Sequence, residues 1–155
     1  MHPLSVTLIQ SNLVWENKAA NLALFGEKIQ TQTTPGQLVI LPEMFSTGFS
    51  MNPAQLAETM EGTTVQWMKT MATQQKIILT GSVIIEEEGK FYNRLLWVLP
   101  NGTVAYYNKR HLFAFAGETP FTKAFRGCTP FTDSGKVTTG GMDVTSSKKI
   151  VGWQG

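Results

Sequence analysis

A carboxylate and a lysine each follow an apolar stretch of this sequence, and both side chains can take part in catalysis. Glu43 comes just after the apolar run Leu38–Leu41, and Lys109 ends the strand-like run that begins at Thr103. In α/β proteins the carboxyl ends of the strands form the edge of the sheet where ligands bind. The apolar pair Met44–Phe45 beside Glu43 predicts a poorly solvated carboxylate, which suits a general base.

Lys109 has aromatic residues before it, at Tyr106 and Tyr107, and an apolar pair soon after it. An ammonium group in such a pocket could stabilise the oxyanion of a tetrahedral intermediate. Each of the two charged residues also has an ordinary interpretation. Glu43 could be a surface glutamate that opens a loop, and Lys109 a solvated lysine, like the neighbouring Arg110.

The sequence offers few other reactive groups. Two histidines are too few for a multi-histidine metal site, so no metal is predicted. Neither a Gly-x-Ser-x-Gly nucleophile elbow nor a glycine-rich phosphate loop is present. The one cysteine, Cys128, lies among glycine, threonine and proline residues, and that setting is typical of a loop.

Strands and helices alternate in the first part of the chain. Apolar periodicity predicts strand, helix, strand, helix and strand in turn, the order of an α/β sheet with crossover helices. Asn101–Gly102 separates two apolar runs and predicts a hairpin, so the sheet should be mixed. The five predicted elements are 4–9, 17–30 (capped by Asn17), 38–41, 63–74 and 76–85.

The last third of the chain has a different composition. Residues 119–149 are rich in threonine, serine, glycine and lysine and show no clear period. This composition predicts an irregular insertion or a disordered loop. Residues 149–155 then resemble a new strand that leads into a turn.

The overall composition limits the class of protein. A chain of 155 residues with 42% hydrophobic content can bury one core. A net charge of +2 argues against nucleic-acid or membrane partners, and no segment is apolar enough to span a bilayer. The N-terminus lacks the pattern of a signal peptide. Because a single cysteine cannot form an internal disulfide, we expect a cytoplasmic protein.

Several short blocks resemble the nitrilase (carbon–nitrogen hydrolase) superfamily, and they follow one another in that family's order. The blocks Phe45–Phe49 and Lys109–Phe113 are similar to the omega-amidase-like branch in particular. The resemblance covers residues 4–118 and returns weakly at 149–155. The five blocks that carry it are Val6–Gln10, Leu41–Phe45, Thr80–Ser82, Tyr92–Asn93 and Tyr107–Lys109.

This resemblance implies an α/β fold of the αββα sandwich type, a mixed sheet with flanking helices, and a Glu-Lys-Cys triad. Glu43 would match the general base, Lys109 the residue that stabilises the tetrahedral intermediate, and Glu118 a second glutamate that orients the lysine. The implied activity is omega-amidase-like: hydrolysis of a small ω-amido carboxylic acid with release of ammonia. No cofactor is implied. A small-molecule amide is the expected partner, and a homodimer is expected only by resemblance.

The family's cysteine follows an apolar strand and precedes an aromatic residue, an aspartate and an arginine, and Cys128 lacks these neighbours. We therefore expect residues 1–155 to form a single carbon–nitrogen hydrolase domain, incomplete at its C-terminus, with the nucleophile beyond Gly155. The alternative to an active hydrolase is a non-catalytic fragment or binding remnant that keeps Glu43 and Lys109.

Overall fold

The computed structural model describes residues 4–32, 37–112 and 149–151, the last three by their backbone alone. Within these ranges six strands form one sheet in the order β5-β4-β3-β2-β1-β6. The elements along the chain are β1 (Val6–Ile9), α1 (Lys18–Gln30), β2 (Leu38–Ile40), α2 (Pro53–Leu56), α3 (Thr63–Gln75), β3 (Ile78–Glu87), β4 (Lys90–Val98), β5 (Val104–Asn108) and β6 (Lys149–Val151).

One half of the sheet is parallel. β1 pairs with β2 and β2 with β3, and the helices α1 and α3 lie in the connections between them. The Asn17 side chain accepts a hydrogen bond of 3.1 Å from the Ala20 amide, so Asn17 caps α1 as predicted. β6 pairs in parallel with β1, which confirms the predicted strand for its first three residues.

The other half of the sheet is a pair of antiparallel hairpins. Glu88 and Gly89 have φ angles of 53° and 71°, as a two-residue hairpin turn requires, and they join β3 to β4. β4 begins at Lys90, five residues before the apolar run that starts at Leu95 and precedes Asn101–Gly102. The first residues of β4 are mostly polar, so apolar periodicity does not mark them as a strand. The predicted hairpin at Asn101–Gly102 is confirmed and joins β4 to β5.

The two faces of the sheet are covered differently. α1 and α3 pack over one face, and the core there includes Phe25, Leu79 and Leu96, each less than 2% exposed. On the other face Leu8 and Leu95 are 50% and 42% exposed. One end of that face carries a small cluster in which Leu56 of α2 packs with Met44 and Ile84. The more open face is the one that holds the site described below.

The predicted mixed sheet with flanking helices is present. The predicted irregular region 119–149 lies outside the described residues, apart from Lys149, which begins β6. The extent of the domain stays a prediction. In the described part of the chain, none of the helices has the length and apolar character needed to cross a membrane.

Candidate active site

Glu43 lies on a tight turn directly after β2. The Leu41 amide donates a hydrogen bond of 2.8 Å to the Thr80 carbonyl, which continues the pairing with β3 past the end of β2. Met44 has a φ of 47°, a left-handed conformation that is uncommon for a residue other than glycine. Its amide donates to the Ser82 hydroxyl at 2.8 Å. These bonds fix the turn and hold Glu43 at the edge of the sheet.

Gly81 lets this turn pack directly on β3. A Cβ atom at this position would lie 2.9 Å from Phe45 Cδ1 and 3.0 Å from Leu41 Cβ, closer than real side chains approach. The Phe45 ring is fully buried and meets the Phe25 ring of α1 edge-on, with 5.6 Å between the centroids. The block Thr80–Ser82 thus supplies the close approach and the hydroxyl that the turn around Glu43 needs.

Lys109 follows the last residue of β5 and reaches Glu43 across the sheet edge. Its amide donates to the Asn93 carbonyl at 2.9 Å, so the β4–β5 pairing extends to this residue. Its Nζ atom lies 2.9 Å from Glu43 Oε1. The same Nζ lies 5.4 Å from the centroid of the Phe49 ring, within range of a cation–π contact. The structure therefore brings together the two residues that the sequence analysis selected.

Asn93 is a member of this group that sequence reasoning did not assign a role. It lies on β4, is 3% exposed, and its Nδ2 donates to Glu43 Oε1 at 2.6 Å. In the sequence, Asn93 stood out only as part of a block resembling the family. Its place in that block was the available signal, because Asn93 precedes the apolar run that starts at Leu95. The sequence does not show which partner Asn93 meets.

The charged pair opens into a cavity of about 260 Å³. Its walls come from the turn after β2, from β3 and β4, and from the end of β5. The lining residues are Leu41, Glu43, Ser82, Asn93, Leu95, Tyr107 and Lys109. This volume suits a small molecule rather than a polymer.

The expectation that Glu43 is poorly solvated is wrong. Its side chain is 47% exposed, and that of Lys109 is 28% exposed. The apolar neighbours Met44 and Phe45 are both fully buried, but they pack into the cores on the two faces of the sheet instead of around the carboxylate. Glu43 is thus held by polar partners and left open toward the cavity.

The other candidate residues have different outcomes. Arg110 is exposed, and its Nε lies 3.4 Å from the hydroxyl of Tyr107, a residue that lines the cavity. Glu118 and Cys128 lie outside the described residues. Within the part of the chain that the structure describes, no group of three or more histidine, cysteine, aspartate or glutamate residues could hold a metal ion.

The sequence model of the carbon-nitrogen hydrolase family matches residues 5–151. The chain belongs to the carbon-nitrogen hydrolase family. It is 40% identical over 124 residues to the omega-amidase YafV of Escherichia coli K12, an alignment that covers 80% of this chain and 48% of that protein. It is also 40% identical over 121 residues to the omega-amidase YafV of Yersinia enterocolitica, covering 76% and 45%. The predicted family resemblance is confirmed.

A solved structure supports the fold of this carbon-nitrogen hydrolase chain. A CN-hydrolase superfamily protein of Xanthomonas campestris, whose crystal structure has an arsenic adduct in its active site, matches with a TM-score of 0.76 at 40% identity. The match covers 81% of this chain and 48% of that one. The predicted nitrilase-type α/β fold class is thereby confirmed. The chain spans about half the length of the curated relatives it matches.

Proposed function

We propose that this carbon-nitrogen hydrolase acts as an omega-amidase-like enzyme that hydrolyses the terminal amide of a small ω-amido carboxylic acid. The observation that carries the proposal is the Glu43–Lys109 pair, 2.9 Å apart at the mouth of a small cavity. The 40% identity to omega-amidases named YafV supports the choice of substrate class. The substrate is a small-molecule amide, and the reaction needs no cofactor.

Glu43 would act as the general base in this reaction. It would take the proton of a thiol nucleophile, and the thiolate would attack the amide carbonyl carbon to form a tetrahedral intermediate. The proton would then pass from Glu43 to the leaving nitrogen as the carbon–nitrogen bond breaks, releasing ammonia and leaving a thioester. In the second half Glu43 would take a proton from water, and the resulting hydroxide would attack the thioester carbonyl carbon. The carbon–sulfur bond would then break, the product carboxylic acid would leave, and Glu43 would return the proton to the thiolate.

Lys109 would stabilise the charge that develops on the carbonyl oxygen. Its ammonium group already lies beside Glu43 Oε1, so it needs little movement to donate to an oxyanion in the cavity. A donor that is fixed in place before the reaction costs little reorganisation when the charge appears. Glu118 is proposed to orient Lys109, on the family resemblance alone.

The thiol can be assigned by experiment, since the chain has one cysteine, Cys128. If the chain supplies its own nucleophile, that residue must be Cys128, although its sequence context differs from that of the family and the sequence analysis expects the nucleophile beyond Gly155. Loss of ammonia release in Cys128→Ala would establish this role, and full release in that variant would exclude it.

The carboxylate of the substrate gives the proposal its specificity. Arg110 is exposed, carries a permanent positive charge and contacts Tyr107 on the cavity wall. We propose that its guanidinium group binds the distal carboxylate, a pairing for which arginine has suitable geometry. The test is a comparison of succinamate with butyramide, which lacks the carboxylate: Arg110→Ala should raise KM for succinamate and leave butyramide unaffected.

The activity test uses the purified full chain with succinamate or glutaramate and measures ammonia. We expect release by the wild-type chain and a fall in kcat of at least about 100-fold in Glu43→Gln, because general base catalysis contributes about 10²–10⁴-fold. Glu27→Gln, at an exposed glutamate of α1, is the matched control and should retain wild-type activity. Absence of ammonia from the wild-type chain would overturn the proposal in favour of a non-catalytic binding remnant.

Two further properties belong to the proposal. We place the protein in the cytoplasm, since its one cysteine allows no internal disulfide. A homodimer is proposed from the family resemblance, and the molecular mass in solution by light scattering would test it.

A further inference from the structure

Asn93 is bonded to both members of the charged pair. Its side-chain nitrogen donates to Glu43 Oε1 at 2.6 Å, and its backbone carbonyl accepts from the Lys109 amide at 2.9 Å. The two charged residues come from turns after β2 and β5, far apart in the sequence. Asn93 on β4 is therefore a fixed point between them.

The chemistry of the carboxylate decides how the Asn93 amide is oriented. An ionised carboxylate only accepts hydrogen bonds, so the Asn93 amino group, and not its oxygen, must face Glu43. A bond of 2.6 Å to a charged acceptor belongs to the short, strong class of hydrogen bonds. The orientation of Asn93 is thus coupled to the charge of Glu43.

Both donors meet the same oxygen of Glu43. Oε1 accepts from Asn93 Nδ2 and also from Lys109 Nζ, at 2.9 Å. Among the residues that the structure describes, none donates a hydrogen bond to Oε2. This asymmetry leaves Oε2 as the oxygen that is able to accept a proton from a reacting group in the cavity.

The backbone around Asn93 is rigid enough to impose this arrangement. β4 is paired on both sides, with Asn93 opposite Ile84 of β3 and the next residue, Arg94, opposite Asn108 of β5. The Arg94 side chain, on the reverse face, donates to Asn108 Oδ1 at 2.6 Å. Asn93 therefore has little freedom to follow Glu43 if the carboxylate turns away.

We infer that Asn93 is a positioning residue for the proposed amidase reaction: it holds Glu43 Oε1 beside Lys109 so that Oε2 receives the proton. The role in catalysis rests on the proposed function, whereas the contact between Asn93 and Glu43 is independent of it. A merely structural asparagine would contribute to folding and would leave the charge chemistry of Glu43 unchanged. The two roles are separated by changing the charge at position 93 while keeping its shape.

The kinetic test uses Asn93→Asp, which replaces the amino donor by a second carboxylate of nearly the same shape. Because a like charge beside Glu43 disfavours its ionised form, the acid limb of the kcat/KM profile for succinamate should move to higher pH. Asn101→Asp, the same charge change in the exposed β4–β5 turn, is the matched control and should keep the wild-type profile. An identical profile in both variants would overturn the inference.

Asn93→Leu removes the donor without adding a charge. We expect kcat to fall roughly tenfold to hundredfold with KM within about twofold of the wild type, since a misplaced catalytic group slows the chemical step more than binding. A kcat equal to that of the wild type would contradict the positioning role. Near-ultraviolet circular dichroism verifies that each variant is folded.

An NMR measurement tests the contact even if the wild-type chain releases no ammonia. In a ¹⁵N-labelled full chain, Glu43→Gln should shift the side-chain amide peaks of Asn93, and the Asn101 peaks serve as an internal control. Unshifted Asn93 peaks would show that the contact is absent in solution and would overturn the inference. Shifted peaks together with no ammonia would uphold the contact and reject the proposed function, so the two failures are distinguishable.

Discussion

Two ion pairs lie on opposite faces of the sheet, and they differ in the burial of the cation and in what surrounds it. On the helix-covered face, the buried pair takes its name from its cation: Arg94 is fully buried, whereas the Glu87 side chain is 45% exposed. Arg94 Nη2 lies 2.7 Å from Glu87 Oε2. On the open face, Lys109 Nζ lies 2.9 Å from Glu43 Oε1, and both side chains are partly exposed. Successive residues of β4, Asn93 and Arg94, take part in the two groups because strand side chains alternate between faces.

The buried pair is satisfied by fixed partners on several sides. The Arg94 guanidinium lies over the Tyr106 ring, 4.0 Å from its centroid, and donates to Asn108 and to Glu87. The hydrogen bond from Arg94, together with its positive charge, lowers the pKa of Glu87 from its ordinary value, although partial burial opposes this shift. Arg94 is fully buried among these partners, so its guanidinium group does not face solvent or the cavity lined by the open pair.

The open pair has the opposite character. The attraction between its two charges contributes little to the free energy of unfolding, because water screens exposed ion pairs. The arrangement holds a carboxylate and a cation at fixed positions beside a cavity. The comparison teaches that the pair proposed for chemistry is the one whose carboxylate and cation both line a cavity.

The largest expected effect is on the buried pair. Arg94→Ala should lower the free energy of unfolding by about 2–5 kcal/mol, since it leaves a cavity at a fully buried site and the buried Asn108 oxygen without its donor. Arg110→Ala, at an exposed arginine, should stay within about 0.5 kcal/mol of the wild type. Urea unfolding measures both. Equal changes in the two variants would remove the distinction between the faces.

The packing beneath the open pair should give the next largest effect. Gly81→Ala should cost about 1–3 kcal/mol by overpacking, because its Cβ would press on Phe45 and Leu41. Gly26→Ala, in the interior of α1, meets only an ordinary contact of 3.9 Å to Trp67 and should instead stabilise by about 0.5–1 kcal/mol. Thermal unfolding measures both changes in stability and shows whether they have opposite signs. A Gly81→Ala variant as stable as the wild type would mean that the turn does not need this close approach.

The pH dependence of stability isolates the contribution of Glu87. Its pKa is lowered in the folded state, so its contribution is present above the ordinary value of 4.5 and is lost as the pH falls through the folded value. Glu87→Gln should therefore cost about 1–2 kcal/mol at pH 7, a value reduced by the exposure of this side chain, and almost nothing at strongly acidic pH. A difference that is the same at both pH values would contradict the assignment.

The smallest stability effect belongs to the open pair. A double-mutant cycle with Glu43→Gln and Lys109→Met should give a coupling energy of about 0–1 kcal/mol, as for other exposed ion pairs. Urea unfolding of the four proteins measures it. A coupling of several kcal/mol would show that this pair, like the buried one, serves mainly to hold the fold.

The sequence predicted the open pair better than the buried one. Glu43 and Lys109 each follow an apolar run and belong to blocks that resemble the family, so both were selected as candidates before the structure showed their contact. Arg94 gave no such signal, because arginine is usually exposed and its burial depends on Tyr106 and Asn108 across the β4–β5 register.

The prediction that Glu43 is poorly solvated was wrong for a related reason. Residues that are neighbours in sequence need not surround the same side chain, and Met44 and Phe45 pack on opposite faces of the sheet. The contact of Asn93 with Glu43 likewise depends on long-range strand pairing, which no local pattern encodes. Local patterns predicted where the charged residues lie, and only the register determined which partners hold them.

The most direct test of the central claim is the release of ammonia from succinamate by the wild-type chain and by Glu43→Gln. The account predicts release by the wild type and a loss of at least about 100-fold in the variant, with a free energy of unfolding within about 1 kcal/mol of the wild type. Equal release by both proteins, or no release by the wild type, would contradict the claim that this pair is the catalytic centre.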